Sequence, residues 1–136
     1  IWTETINIDW TVKQYEPIQA NVGDTLVFEY SNSHNVYELP AGMTECPTDF
    51  FQSGRVARLR GDENASPLSI SLNEDGVRTF ACEVGNHCVS GQIVTVTVGE
   101  SPTLKRGSSA GRRVYPVGGP VLATTLLAVT TWVSYL

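Results

Sequence analysis

The strongest restriction on the fold is a period of two. From Thr5 to Val98 the chain carries short runs of alternating or β-branched residues separated by turn signals, and no apolar helical period is visible before residue 120. Leu26, Phe28 and Tyr30 alternate with Val27 and Glu29 directly after the turn Asn21-Val22-Gly23-Asp24. Leu68, Ile70 and Leu72 alternate with Ser69 and Ser71, so this run has one apolar and one wet face. Val77 to Val84 follows Asn73-Glu74-Asp75-Gly76, and Val94, Val96 and Val98 share a side against Thr95 and Thr97. A further strand is expected near Thr5 to Ile8. Several short strands at this spacing predict an all-β fold, a two-sheet sandwich or a barrel. A chain of 136 residues with 41% hydrophobic content suffices for one such core.

The pattern stops at Gly99. Residues 1–99 read as the domain and 100–116 as a disordered linker, since Ser101 to Arg113 is rich in Ser, Gly and basic residues that bury nothing. Residues 117–136 read as an apolar tail, uncharged from Val121 onward. Sixteen residues at 1.5 Å each reach about 24 Å, short of the roughly 30 Å hydrocarbon core, and Val117 to Pro120 nearly close the gap. Small residues Gly107, Ser108, Ser109, Ala110 and Gly111 precede the spacer and tail, and no basic flank follows Leu136. The favoured expectation is therefore a glycolipid (GPI) anchor signal with attachment at Ser108 or Ser109. A membrane span and an inert tail are the alternatives.

The first residue is Ile1 rather than Met, which suggests that a secretory leader has been removed, and an odd cysteine count permits one disulfide. Both point to an extracellular protein on the outer face of the plasma membrane. All 14 acidic residues lie from Glu4 to Glu100, against Lys13, Arg55, Arg58, Arg60 and Arg78 over the same stretch, a net of −9. Nucleic acid is thereby excluded as a partner, and a cationic protein fits, as does a small reductant. The chain is expected to act as a monomer.

The chemistry concentrates in Cys82-Glu83-Val84-Gly85-Asn86-His87-Cys88-Val89-Ser90-Gly91-Gln92, between the two late strands. A thiolate and an imidazole in one short loop are donors for copper or zinc, and two His with one Cys and a weak axial ligand is an electron-transfer copper arrangement. The second histidine must be His34, the only other in the chain. Singly these residues are weak signals: a lone His at a strand end is more often a hydrogen-bonded surface residue, and Cys82 on a strand more often a small buried hydrophobe. The Cys-x4-His-x4-Gln spacing makes the combination informative, with His34, Cys82, His87 and Gln92 as the candidate metal donors.

Cys88 needs separate treatment. On an extended backbone successive side chains face opposite ways, so a metal-facing His87 would turn Cys88 away and leave it free to pair with Cys46. That bond would close some forty residues, a stabilisation of about 4 kcal/mol in the chain-entropy view. The alternative, Cys46 with Cys82, would destroy the metal site.

Over about residues 1–99 the chain resembles the phytocyanins, the plant-type blue copper proteins, and within them the stellacyanin branch. The resemblance rests on Val22-Gly23-Asp24 before Leu26-Val27-Phe28, on His34-Asn35-Val36 followed by Cys46, and on Phe80-Ala81-Cys82 leading to His87-Cys88 and Gly91-Gln92. It implies a cupredoxin fold, a Greek-key β-sandwich or flattened barrel with one type 1 copper near one end. It also implies copper on His34, Cys82 and His87, a Cys46–Cys88 disulfide, and Gln at the axial position 92 where most branches carry Met. The segment from Cys46 to Leu68 matches only loosely.

The expected function is one-electron transfer without enzymatic turnover. An amide oxygen is harder than a thioether and should favour Cu(II), lowering the reduction potential. His87, on its short loop, is the expected exit for the electron. The main alternative is a metal-free cell-surface module like the early nodulin-like members. An oxidase or zinc hydrolase would need an open coordination position that Gln92 is expected to fill. Finally, Asn64-Ala65-Ser66 is a glycosylation sequon, with Pro67 immediately after it.

Overall fold

The structure, a computed structural model, describes residues 2–99. The linker 100–116, the tail 117–136 and the proposed attachment points Ser108 and Ser109 lie outside the described residues.

Eight strands occur and, among the described residues, no helix: β1 (Thr5–Asp9), β2 (Ile18–Ala20), β3 (Thr25–Glu29), β4 (Val36–Glu38), β5 (Arg58–Gly61), β6 (Leu68–Ser71), β7 (Gly76–Ala81) and β8 (Ile93–Val98). They form two sheets, ordered β1-β3-β6 and β2-β8-β7-β4-β5. Two neighbouring pairs are parallel, β1 with β3 and β2 with β8, so the chain crosses between sheets rather than meandering. This is the two-sheet sandwich that the period of two predicts. Three strands escaped sequence reading: β2 and β4 have three residues each, too few to show a period, and β5 carries a single large apolar side chain, Leu59, which is exposed.

Alternation sets the main core. Leu26 and Phe28 of β3, Ile70 of β6, Phe80 of β7 and Val94, Val96 and Val98 of β8 turn inward and are buried, together with Trp10 and Leu72. Phe28 meets Trp10 edge-on at 5.0 Å and Phe80 at 5.5 Å, so aromatic rings bridge the two sheets. The turn before β3 is closed by Asp24, buried at 2% exposure, whose carboxylate accepts the backbone N–H groups of Glu4 and Asn21, both at 2.8 Å. Gly23 supplies the φ of 101° that the turn requires.

Arg78, in line with Phe80 on β7, reaches across to the Ser71 carbonyl of β6. It also holds Glu38 of β4 through two hydrogen bonds of 2.7 and 2.9 Å, and Arg60 of β5 adds a third at 2.6 Å. Burial alone would raise the Glu38 carboxyl, but the hydrogen bonds and charges of Arg78 and Arg60 outweigh it and hold the group below its ordinary value.

A second, smaller cluster lies around Tyr37 and Ala81, the cross-strand pair next along from Glu38 and Phe80. Leu39, Ala57, Ala81 and Cys88 are buried there, with Tyr37, Met43, Cys46, Phe50 and Ile93 packed against them. Its cover is the irregular segment between β4 and β5, pinned by the Cys46–Cys88 disulfide across 42 positions of sequence. The pairing implied by the family resemblance is thus the one formed, and the Cys46–Cys82 alternative is ruled out.

Candidate metal centre

Three segments meet at one end of the main core. β7 ends at Ala81, three residues short of the Val77 to Val84 run expected from sequence. Cys82 follows immediately and retains the inward orientation of Phe80 two residues earlier, fully buried. His34 comes from the short turn before β4, where its N–H donates to the Ser31 carbonyl. His87 and Gln92 come from the loop between β7 and β8.

That loop is not extended, which corrects the premise used for Cys88. His87 N–H donates to the Val84 carbonyl at 3.0 Å, Gly91 N–H to Cys88 at 2.9 Å and Gln92 N–H to His87 at 3.0 Å, so the segment is a run of tight, helix-like turns. Successive side chains on such a turn diverge by about 100° rather than alternating across a pleat. His87 still faces the sulfur while Cys88 turns to Cys46, but curvature separates them. Gly91 ends the run with a φ of 119°, and a Cβ there would stand 2.7 Å from the Lys13 carbonyl oxygen.

The four predicted donors behave differently. Nδ1 of His34 and Nδ1 of His87 lie 3.2 Å apart, and Cys82 Sγ lies 3.9 Å from the first and 3.5 Å from the second. These ligand atoms all fall within 4.8 Å of one another. First-row metals with bonds of about 2.0 Å to nitrogen and about 2.3 Å to sulfur leave edges of this size between their donors. Gln92 is 0% exposed, and neither its amide nitrogen nor its oxygen has a hydrogen-bond partner. A buried, unpartnered amide costs about 1–3 kcal/mol and demands an explanation. It stands close enough to His34 to oppose the fall in that ring's pKa, so the orphaned group lies beside the three donors. The donor set therefore fits a soft or borderline metal with three strong ligands and one weak one.

Burial and like charge set the electrostatics of the donor side chains. Burial pushes the Cys82 thiol up, the nearby carboxylates of Glu83 and Glu63 add to this, and the backbone N–H groups of Asn35 and Val84 oppose it. His34 is pushed down by burial first and by His87 second. A bound cation reverses this balance, since a coordinating thiol is deprotonated outright. His34 is buried at 8% exposure whereas His87 is only partly buried, the order expected if His87 is the outlet.

Sequence reading missed Asn35. Its side-chain oxygen accepts Glu83 N–H at 2.9 Å, its amide nitrogen donates to Glu83 Oε1 at 3.3 Å, and its carbonyl accepts Trp10 Nε1–H at 2.9 Å. It thereby ties the His34 segment to the Cys82 segment and both to the core, the kind of bracing a metal ligand set needs. Only its position beside His34 hinted at this. Asn64 is exposed on the turn between β5 and β6.

A family model described as a plastocyanin-like domain matches residues 2–92. Cucumber peeling cupredoxin, from Cucumis sativus, is 35% identical over 78 residues, which are 57% of this chain and 53% of that protein, so the match spans about half the relative's length. Among solved structures, cucumber stellacyanin with Cu2+ superposes at a TM-score of 0.53 with 27% identity, covering 74% of this chain and 99% of that one. A Sinorhizobium pseudoazurin, at 0.50 and 23% identity over 75% and 79%, shares the fold. With fold, donor set and family match in agreement, the chain belongs to the plastocyanin-like domain family, and cucumber peeling cupredoxin and cucumber stellacyanin are among the proteins it resembles.

Proposed function

We propose that this protein is a one-electron carrier holding a single type 1 copper on Nδ1 of His34, Sγ of Cys82 and Nδ1 of His87, with the side-chain oxygen of Gln92 as the weak axial donor. The observation that carries the reading is the convergence of those three donor atoms within 4.8 Å beside a buried glutamine amide that has no partner in good hydrogen-bond geometry and whose polar neighbour is His34. Copper, when bound, supplies the Cu(II)/Cu(I) couple. The chain's own part is to restrict movement: Cys82 is anchored by β7 and by its N–H bond to the Gln92 carbonyl at 3.1 Å, and Asn35 locks the neighbouring segments. Ligands that hardly shift between oxidation states keep the reorganisation small. Gln92 also supports a carrier over an enzyme, because it lies buried where a substrate or water would need an open position.

Replacing Gln92 with Met tests the axial assignment. A thioether favours Cu(I) relative to an amide oxygen, so Gln92→Met raises the reduction potential by at least about 60 mV, one decade in relative affinity for a one-electron couple. An unchanged or lower potential in protein film voltammetry removes Gln92 from the axial position.

The setting is proposed to be the outer face of the plasma membrane, through a glycolipid at Ser108 or Ser109, with Asn64 glycosylated. The disulfide and the exposure of Asn64 support this. A surface protein that still carries residues 117–136 by mass spectrometry would contradict the anchor.

A further inference from the structure

The cover of the small cluster and the loop that carries His87 enclose a groove of about 470 Å³. Asp49, Phe50 and Phe51 form one wall, and Glu83, Asn86 and Val89 line the other. Phe51 is 51% exposed and Val89 73%, large apolar surfaces to leave in water beside a ligand loop. Phe50 and Phe51 both meet Tyr37 edge-on, at 5.8 and 5.7 Å, so the aromatic wall is a packed unit rather than a loose loop.

The charge of this groove is one-sided. No Lys or Arg lines it, and neither Asp49 nor Glu83 forms an ion pair among the described residues. Asp49 Oδ1 accepts the Phe51 N–H and Glu83 Oε1 accepts from Asn35, which leaves each carboxylate its second oxygen. Glu83 and Glu63 also act on the Tyr37 hydroxyl, whose pKa is raised first by burial and then by these two carboxylates. Meanwhile Arg58, Arg60 and Arg78 are gathered on Glu38, and Lys13 is paired with Asp9. Arg55, the fifth cation of the domain, is exposed on the cover segment but does not line the groove.

Aromatic faces with carboxylates and no cation in the lining suit an ammonium or guanidinium group on an otherwise apolar patch. One wall comes from the loop that carries His87, through Asn86 and Cys88 on either side of it, so an occupant contacts the loop of the expected electron outlet though not the ring itself. We propose that this groove is a docking surface for a basic protein that presents lysine or arginine side chains around an apolar centre and exchanges the electron with this chain. The proposal rests on the electron-carrier reading for its purpose, and its binding step does not depend on copper.

The test separates the two. The copper-free, disulfide-intact chain, labelled with 15N, is titrated with a basic c-type cytochrome whose iron is replaced by zinc, at low ionic strength. Shift changes are expected on residues 47–51 and 83–89, fading as salt is added. Asp49→Lys combined with Val89→Lys, both at exposed positions, is expected to weaken binding at least tenfold. Phe51→Ser alone should weaken it severalfold with the salt dependence retained. Glu74→Lys combined with Val77→Lys, at the exposed start of β7 and away from the groove, serves as the control with the same change of charge. Shifts that map elsewhere, or a double variant no weaker than that control, overturn the proposal. A chain that docks but gives no blue copper band sinks the carrier reading and leaves the docking surface standing. A blue protein with no docking does the reverse.

Discussion

The two apolar clusters are built on different principles. The main core lies between sheets and is assembled from strands whose alternation directs every second side chain inward, with Phe28, Phe80 and Trp10 at its centre. The smaller cluster has only Leu39, Ala57, Ala81 and Cys88 buried, and its lid is an irregular segment with no ladder of its own. What a regular sheet gives the first, a covalent bond gives the second. The metal donors draw on both: Cys82 grows from the main core, whereas His87 sits beside Cys88, so the ligand loop is steadied from the small cluster.

Removing material from the main core should therefore act globally. Phe80→Ala, at a site with 0% exposure, is expected to cost about 3–5 kcal/mol, measured as a lower urea midpoint with an unchanged slope. If the loss is under about 1 kcal/mol, the inter-sheet aromatic bridge is not the centre of stability. Next is the staple. Cys46→Ala with Cys88→Ala should cost about 4 kcal/mol from the reopened loop, and it should broaden 15N signals of residues 40–57 and 84–91 more than those of β1, β3 and β6. Uniform loosening would contradict the division into two clusters.

The smallest effect concerns Glu38. Its folded pKa is depressed, so its stabilisation is complete above the unfolded carboxyl value of about 4.3 and disappears as pH falls through the folded value. Glu38→Gln is expected to cost about 1–2 kcal/mol at pH 7 and nothing relative to wild type in strong acid. A penalty that persists at low pH would mean that the side chain acts by packing rather than charge.

The same division explains what could be read beforehand. The strands of the main core were legible because alternation is a direct imprint of a half-buried pleat, as in Leu68-Ser69-Ile70-Ser71 and Ile93 to Val98. Cys82, His87 and Gln92 were legible as chemistry, since few other roles bring a thiol, an imidazole and an amide to one spacing, and His34 followed as the only other histidine. β4 and β5 were not, because the three residues of β4 carry no period, the one large apolar side chain of β5, Leu59, faces solvent, and their pairing is decided by partners far along the chain. Nor was the turned backbone from Val84 to Gly91, whose form depends on Gly91 nesting against Lys13. Asn35 stayed hidden because one asparagine beside a histidine has many uses, and only the meeting of two segments reveals which.

The most direct measurement is the visible absorption spectrum of the purified, disulfide-bonded chain on addition of Cu(II). The account predicts an intense blue band that bleaches reversibly with ascorbate and is absent in Cys82→Ser. Folded protein that binds Cu(II) without that band, or keeps it in Cys82→Ser, would contradict a thiolate-held copper electron carrier.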